Sequence, residues 1–315
     1  MTDNLSLLTQ HFIFYVVEMI KFVFIFLFCA LLSTAVDLPT QAAKISGLAQ
    51  NRCRILFHKS FDSSQIIEAF LCGVDLPEGE IKSIFIQTSL YHLIVVSGSH
   101  LSFLLLFLSF LRLQNSLIVF LASCGLALIT GFQAPIVRAL VQSLWHGLNV
   151  FCRWHWRGTQ ELIIAAMFTL SLFPMWVTSL SFQLSLGAVL SLKAGQLLHK
   201  KSEEVFDWTS GLLCYLFLLP LLMGWGQLHP AGILTNLFLA PVLTAALWVI
   251  SALWLFLPIP MDYALSGCVF LLREVARMMP LTQSEVSFDS SERWFYLLIL
   301  MSFLWGLQIH RERSR

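Results

Sequence analysis

Apolar stretches long enough to cross a lipid bilayer recur along almost the whole sequence, and this pattern constrains the fold more than any other feature. A transmembrane helix needs about 20 mainly apolar residues. Charged residues make up 12% of the chain, against roughly 25% in soluble domains. The sequence therefore predicts an all-α fold, a polytopic transmembrane helical bundle of about 8–10 spans. The stretches are 84–111, 116–132, 134–151, 160–178, 181–198, 209–226, 232–257 and 293–309, with a weaker one at 263–280.

The first 83 residues divide into an apolar part and a polar part. Residues 1–35 are typical of either an N-terminal signal anchor or a cleaved signal peptide, because Lys21 precedes an apolar run that ends in small residues. Both alternatives place the polar segment 36–83 outside the cytoplasm. A short helix is expected around Ser63–Cys72, ended by Gly73. In an exported segment Cys53 and Cys72 are either a disulfide pair or two unpaired thiols.

Basic residues follow the first, third, fifth and last of these apolar stretches, which predicts the orientation in the membrane. The loops at 132–134, 179–181 and 227–231 carry no Lys or Arg. This pattern predicts a short extracytoplasmic segment at 36–83, a transmembrane domain at 84–310 and a basic cytoplasmic tail at 311–315. The basic residues are Arg112, Arg153, Arg157, Lys200, Lys201, Arg311, Arg313 and Arg315.

Two stretches fit a simple crossing poorly. In 263–280, Arg273, Glu274 and Arg277 share one helical face, and a charge at mid-depth costs about 2.5–3.5 kcal/mol. We therefore expect one amphipathic helix that lies in the outer membrane interface. If so, 232–257 cannot be a single crossing, and Asn236 and Pro241 would mark at least one broken or re-entrant helix.

Polar residues inside the apolar stretches carry the functional information. The histidines His92 and His100 are costly in lipid unless they face protein or water, which favours a hydrated path over packing. Gly98 is expected to interrupt this helix. Serine and threonine hydroxyls are explained as well by helix–helix hydrogen bonds. The polar positions that an unbroken helix would place on one face are Thr88, His92, Ser99, Ser102 and Ser109.

Arg138 and Gln183 are the other polar side chains that stand out. Arg138, just after Pro135, either extends to the headgroups or faces the bundle and offers its charge to an anion. Gln183 lies within a repeat of small residues that favours close helix packing, and its amide needs partners in a bilayer. The other members of that repeat are Ser179, Gly187, Ser191 and Gly195.

Several chemistries are excluded by missing motifs. The chain has no G-x-x-x-x-G-K-[ST] and no H-E-x-x-H, and we expect no catalytic residue, no metal and no cofactor. Ser97 and His100 leave an intramembrane serine hydrolase as an alternative, which is disfavoured because one stretch supplies both residues.

Four motifs follow one another along the chain: HLIVVSGSH at 92–100, GFQAPIVRA at 131–139, SFQLS at 181–185 and NLFLAP at 236–241. They resemble, in order, the signatures His-Leu-x-x-x-Ser-Gly-x-His, Gly-x-x-x-Pro-x-x-Arg-Ala, Gly-Phe-Gln-Leu-Ser and Asn-Leu-x-x-x-Pro of the ComEC competence family. Ser181 replaces the glycine of the third signature. Members of that family are inner-membrane proteins that pass transforming DNA.

The resemblance implies the family's channel domain alone, without the outer OB-like and nuclease domains of larger members. It implies an import channel for single-stranded DNA in the bacterial cytoplasmic (inner) membrane, with a separate nuclease, DNA receptor and helicase motor as partners and a homo-oligomer allowed. A small-anion or lipid-linked-solute transporter is the alternative. Helix breaks are expected at Gly98, Pro135 and Pro241. The implied channel lining is His92, Ser97, Gly98, His100, Arg138, Gln183, Ser185 and Asn236.

Overall fold

The computed structural model describes residues 38–58, 61, 63–94, 98–113, 115–153, 158–198, 208–222, 232–279 and 289–313. The predicted signal segment 1–35 and the side chain of Ser97 lie outside these ranges. Across the described residues every regular element is a helix, which confirms the all-α prediction.

Fourteen α-helices are numbered here along the described chain. A 3₁₀ turn, Pro174–Thr178, precedes α9, and a π-helical turn, Thr235–Leu239, joins α11 to α12. The helices are α1 (Leu38–Phe57), α2 (Ser64–Cys72), α3 (Glu80–Gln87), α4 (Tyr91–Ile94), α5 (Gly98–Phe110), α6 (Ser116–Ile129), α7 (Ala134–Cys152), α8 (Gly158–Leu172), α9 (Leu180–Leu198), α10 (Trp208–Leu222), α11 (Gly232–Leu234), α12 (Ala240–Trp254), α13 (Pro258–Arg277) and α14 (Ser290–Arg313).

The helices pack around two main apolar cores. One core joins α2, α3 and α4 to α12 and α13, with Phe70, Leu247 and Trp254 fully buried. The polar segment 36–83 therefore shares a core with the C-terminal third of the chain. The second core joins α8, α9, α10 and α14 around Leu186 and Leu297. Helix α7 packs along α8 and also contacts α9.

The predicted span 84–111 is not one helix, and its first interruption lies at Ser89, before the expected one at Gly98. Helix α3 ends at Gln87, and Ser89 adopts a left-handed backbone with φ 59°. Left-handed geometry is strained for residues other than glycine and stops a right-handed helix. Because the helix is interrupted here, the polar positions between Thr88 and Ser109 do not share one face. Gly98 begins α5.

Neither predicted proline break is a break. Pro135 lies in the first turn of α7, where a missing N–H leaves no hydrogen bond unmade. Pro241 lies in the first turn of α12, directly after the π-helical turn. In that turn the N–H of Ala240 donates to the carbonyl of Thr235, five residues back. The helical path from Gly232 to Trp254 is therefore continuous, and a π-helical turn replaces the predicted discontinuity.

The predicted stripe of small residues on α9 does allow a close approach. A Cβ added to Gly187 would lie 2.5 Å from Leu221 of α10, 3.2 Å from Leu218 and 3.4 Å from Leu297 of α14. These distances are shorter than or at the limit of ordinary contact, so Gly187 lets three helices meet at one level.

The segment before α3 is fixed by a disulfide and by side-chain hydrogen bonds. Cys53 of α1 and Cys72 of α2 are bonded, with Cα atoms 5.8 Å apart, which settles the open question about these thiols. Helix α2 ends as predicted at Gly73, whose φ is 67°. The Gly73 carbonyl accepts hydrogen bonds from Gln50 at 3.1 Å and from Gln133 at 2.8 Å. Helix α1 is thereby held against the start of α7.

One described helix, Thr235–Trp254, is long and apolar enough to cross a membrane, and three shorter apolar helices lie at His100–Phe110, Leu117–Ile129 and Gly158–Leu172. The next helix, α13, contacts the N-terminal segment at both ends. Asp262 near its start accepts a hydrogen bond from Ser63, and Arg273 near its end pairs with Glu80 at 2.9 Å. Helix α13 therefore runs along the segment 63–87.

Candidate functional site

A buried arginine lies near the start of α7. The Arg138 residue is 2% exposed. Its Nε donates to the Ser185 hydroxyl at 3.0 Å, and its Nη1 donates to the Gln142 side-chain oxygen at 2.8 Å. Both partners are neutral, and no described carboxylate lies within ion-pair distance of the guanidinium. The structure therefore places Arg138 inside the bundle and excludes the alternative in which it extends to the headgroups.

The polar side chains of α7 continue in a stripe toward the other end of the helix. After Arg138 come Gln142, His146 and Asn149, at steps of four, four and three residues, which is one helical face. At 1.5 Å per residue, the distance along the axis from Arg138 to Asn149 is about 16 Å. Polar groups thus extend over about half of the roughly 30 Å thickness of a bilayer core.

The far end of this stripe contains a buried carboxylate. Glu161 of α8 is 6% exposed and accepts a hydrogen bond from the Asn149 amide at 2.5 Å. His146 Nδ1 lies 3.1 Å from the same carboxylate. The ammonium of Lys193 approaches from α9, 3.1 Å from the position of a Cβ on Gly158. Because Gly158 precedes Glu161 by three residues on α8, Lys193 approaches α8 about one helical turn from this carboxylate.

Gln183 connects α9 to α14 rather than to Arg138. Its side chain is fully buried. The amide nitrogen donates to the Val177 carbonyl at 2.9 Å and to the Ser290 hydroxyl at 3.0 Å, while the amide oxygen accepts from Arg293 at 2.7 Å. Ser185, two residues on, makes the contact to Arg138. The Phe-Gln-Leu-Ser motif thus places one residue against each of two arginines.

Asn236 belongs to a second polar cluster, whose side chains bond to the backbone at the break near Ser89. Its amide donates to the Gly232 carbonyl at 2.8 Å and to the Ser89 carbonyl at 3.3 Å. The neighbouring Thr235 hydroxyl donates to the Thr88 carbonyl at 2.8 Å. The π-helical turn therefore supplies donors to carbonyls that the broken helix leaves without intrahelical partners.

The two predicted histidines occupy different surroundings. His92 is exposed, with Nδ1 3.1 Å from the Ser89 carbonyl, beside the Asn236 cluster. His100 is buried, and its ring lies 4.6 Å from that of Phe70 and 5.8 Å from that of Trp248. The ring of His100 thus packs between aromatic side chains of α2 and α12.

The sequence interpretation missed Gln142, His146, Asn149 and Glu161. The sequence does contain a signal for them. Gln142, His146 and Asn149 follow Arg138 at helical spacing, and Glu161 is the only carboxylate in the next apolar stretch, 160–178. Of the described residues, no group of three His, Cys, Asp or Glu side chains is placed to hold a metal ion.

A comparison with protein-family models identifies one family, described as competence protein, over residues 76–313. The chain belongs to this competence protein family. The match confirms the family that the motifs indicated, and it assigns the chain a role in natural competence and DNA uptake. Neither the curated proteins nor the solved structures give a significant match.

The matched region contains every polar contact described above for α7, α8, α9 and the π-helical turn. It begins at Leu76, so α1, α2 and the disulfide precede it. The two polar clusters therefore lie within the region that matches the competence family.

Proposed function

We propose that this competence-family protein is a membrane channel that imports single-stranded DNA across the bacterial cytoplasmic membrane. The observation that carries the proposal is Arg138, a buried cation whose described partners are neutral. A charged side chain inside a membrane bundle costs several kcal/mol unless it is paired or hydrated, and the residues that bear this cost usually mark a functional site. An anionic cargo would supply that charge transiently.

The membrane placement rests on the apolar helices and on the orientation of basic residues. Crossings by α5 to α10 and by α14, an odd number, would leave residues 36–83 outside and the basic tail 311–315 in the cytoplasm. The path from Thr235 to Trp254 would then enter the membrane without crossing it, because Thr235 bonds to Thr88 and Trp254 bonds to Phe57. Helix α13 contacts the outer segment at both ends, which supports an interfacial position for this amphipathic helix.

A nucleic-acid cargo fits the stripe on α7 better than a small anion does. A strand crossing the bilayer needs polar contacts at successive depths, because each phosphate carries a charge. The stripe offers hydrogen-bonding groups over about 16 Å, of which only Arg138 is a permanent cation. Amides and hydroxyls can contact any sequence, which suits a path that is indifferent to the bases.

The path would carry DNA without acting on bonds. Strand degradation, capture of the duplex and the driving force would come from a separate nuclease, DNA receptor and helicase motor, and a homo-oligomer could enclose the strand. The alternative, a small-anion or lipid-linked-solute transporter, uses the same buried arginine. A small anion would contact only part of the stripe on α7 at one time, whereas a DNA strand would contact its whole length. The two alternatives therefore differ in which substitutions along α7 affect transport.

Labelled-DNA uptake in naturally competent cells tests the proposal. Arg138→Ala should abolish the entry of label into the cytoplasm while leaving surface-bound DNA unchanged, and Arg138→Lys should restore part of the entry. Arg153→Ala, which changes an exposed arginine directly after the end of α7, is the matched control and should import normally. Normal import by Arg138→Ala at wild-type protein levels would refute the role of Arg138. Lost small-anion flux with normal DNA entry would favour the alternative.

A further inference from the structure

Helix α1 presents an apolar face that contacts no described part of the protein. Ile45, Leu48, Ile55 and Leu56 are 57%, 67%, 63% and 55% exposed. At 100° per residue they cluster on one side of the helix, with Arg52 between them. Burial of one such side chain is worth about 1.5–3 kcal/mol, so leaving all four in water would be unfavourable.

The opposite side of α1 lies across the ends of other helices. Ala42 packs in the cluster that contains Phe173, at the end of α8. The amide of Gln50 lies against Gly131, in the turn between α6 and α7. The Phe57 carbonyl accepts a hydrogen bond from Trp254, the last residue of α12, at 3.3 Å.

These contacts are spread along the 20 residues of α1, which extend over about 30 Å. A helix that contacts one helix end after another runs along the rim of the bundle rather than through it. Its level is that of the outer ends of the helices in the proposed orientation.

The charge of α1 indicates what covers its apolar face. The helix has no Asp or Glu, and it carries Lys44, Arg52 and Arg54. Of these, Arg54 pairs with Glu68 at 3.1 Å. Apolar side chains flanked by lysine and arginine are typical of helices that lie in the headgroup region, where the basic groups reach anionic lipid.

The apolar surface also continues beyond the end of α1. Next to the contact between Phe57 and Trp254, the corner between α12 and α13 exposes Phe256 and Ile259, at 79% and 59%. A second copy of the chain or a strand of DNA would have to cover both regions at once, whereas a lipid surface is continuous by nature.

We propose that α1 lies in the outer interfacial layer of the membrane, with Ile45, Leu48, Ile55 and Leu56 in contact with lipid and Lys44 and Arg52 at the headgroups. This inference rests on the membrane placement given above and is independent of the cargo. It makes α1 an outer support of the bundle, coupled to α2 by the disulfide and to α7 through the shared contacts of Gln50 and Gln133 with Gly73.

Spin labels in proteoliposomes of phosphatidylethanolamine and phosphatidylglycerol test the proposal. Leu48→Cys and Ile55→Cys are each labelled in a full chain whose five cysteines other than Cys53 and Cys72 are alanine. Collision rates with oxygen, which concentrates in lipid, and with a water-soluble nickel complex are then compared. Val249→Cys on α12 is the lipid control and Glu78→Cys is the water control, since both side chains are exposed.

The expected result is that oxygen dominates at Leu48 and Ile55, as at Val249, while nickel dominates at Glu78. Dominance of nickel at Leu48 and Ile55, with oxygen dominant at Val249, would place the α1 face in water and overturn the proposal alone. Low access to both reagents would show protein covering the face, as in a second copy, and would also overturn it. Dominance of nickel at Val249 would instead refute the membrane placement on which the proposal rests.

Discussion

Gly187 offers a sharp test of how the second core is packed. Its missing Cβ would lie 2.5 Å from Leu221 Cδ1 and 3.2 Å from Leu218 Cδ2. Replacing glycine by alanine inside a helix normally stabilises it by about 0.5–1 kcal/mol, because alanine loses less conformational freedom. At this position the added methyl group must displace α10 or force a leucine out of its rotamer, which costs about 1–3 kcal/mol.

The balance predicts that Gly187→Ala lowers the free energy of unfolding by about 0.5–2 kcal/mol. At roughly 2–4 °C per kcal/mol, the melting temperature should fall by a few degrees. The matched control is Gly147→Ala in α7, where nothing lies within 4 Å of the added Cβ. This variant should be as stable as the wild type or slightly more stable.

Thermal unfolding of the purified protein in detergent, followed by tryptophan fluorescence, measures both variants under one condition. In a Leu221→Ala background the clash is removed, so the penalty of Gly187→Ala should shrink, since contacting residues do not act additively. A Gly187→Ala protein that melts at or above the temperature of Gly147→Ala would refute the close approach of α9 to α10.

Three further predictions concern polar and covalent contacts. Glu161→Ala should destabilise the protein by about 1–3 kcal/mol because it removes a buried carboxylate that accepts a hydrogen bond from the Asn149 amide, whereas Glu161→Gln should cost less. Melting curves compare the two variants. Cys53→Ser should cost about 2–4 kcal/mol by opening the loop to Cys72, and reducing agent should destabilise the wild type but not this variant. Thr235→Val removes the donor to the Thr88 carbonyl and should cost about 1–3 kcal/mol, whereas Thr235→Ser should melt like the wild type.

Helix positions were largely predictable, because the length of an apolar stretch and the polar residues at its ends mark where a helix can run. The predicted stretches 116–132, 134–151 and 181–198 correspond to α6, α7 and α9 within a few residues. The break at Ser89 was not predictable in the same way. A serine with positive φ has no sequence signal, and the donors to the carbonyls at this break come from Thr235 and Asn236, 147 residues away.

The candidate site was half predictable. The motif residues Arg138 and Ser185 do meet, yet sequence alone could not tell a buried arginine from one that reaches the headgroups. The stripe beyond Arg138 was not predicted, because the contact that Asn149 makes with Glu161 joins two different helices. The disulfide was undecidable for a similar reason, since spacing along the chain gives no distance between Cys53 and Cys72 in space.

Deletion of the gene in a naturally competent host tests the central claim most directly. Radiolabelled donor DNA is supplied, and label protected from external nuclease is measured inside the cell together with transformation frequency. A DNA-import channel predicts that surface-bound DNA persists while internal label and transformants are lost, and that wild-type protein restores both whereas Arg138→Ala does not. Unchanged internal label and transformation in the deletion strain would contradict the account.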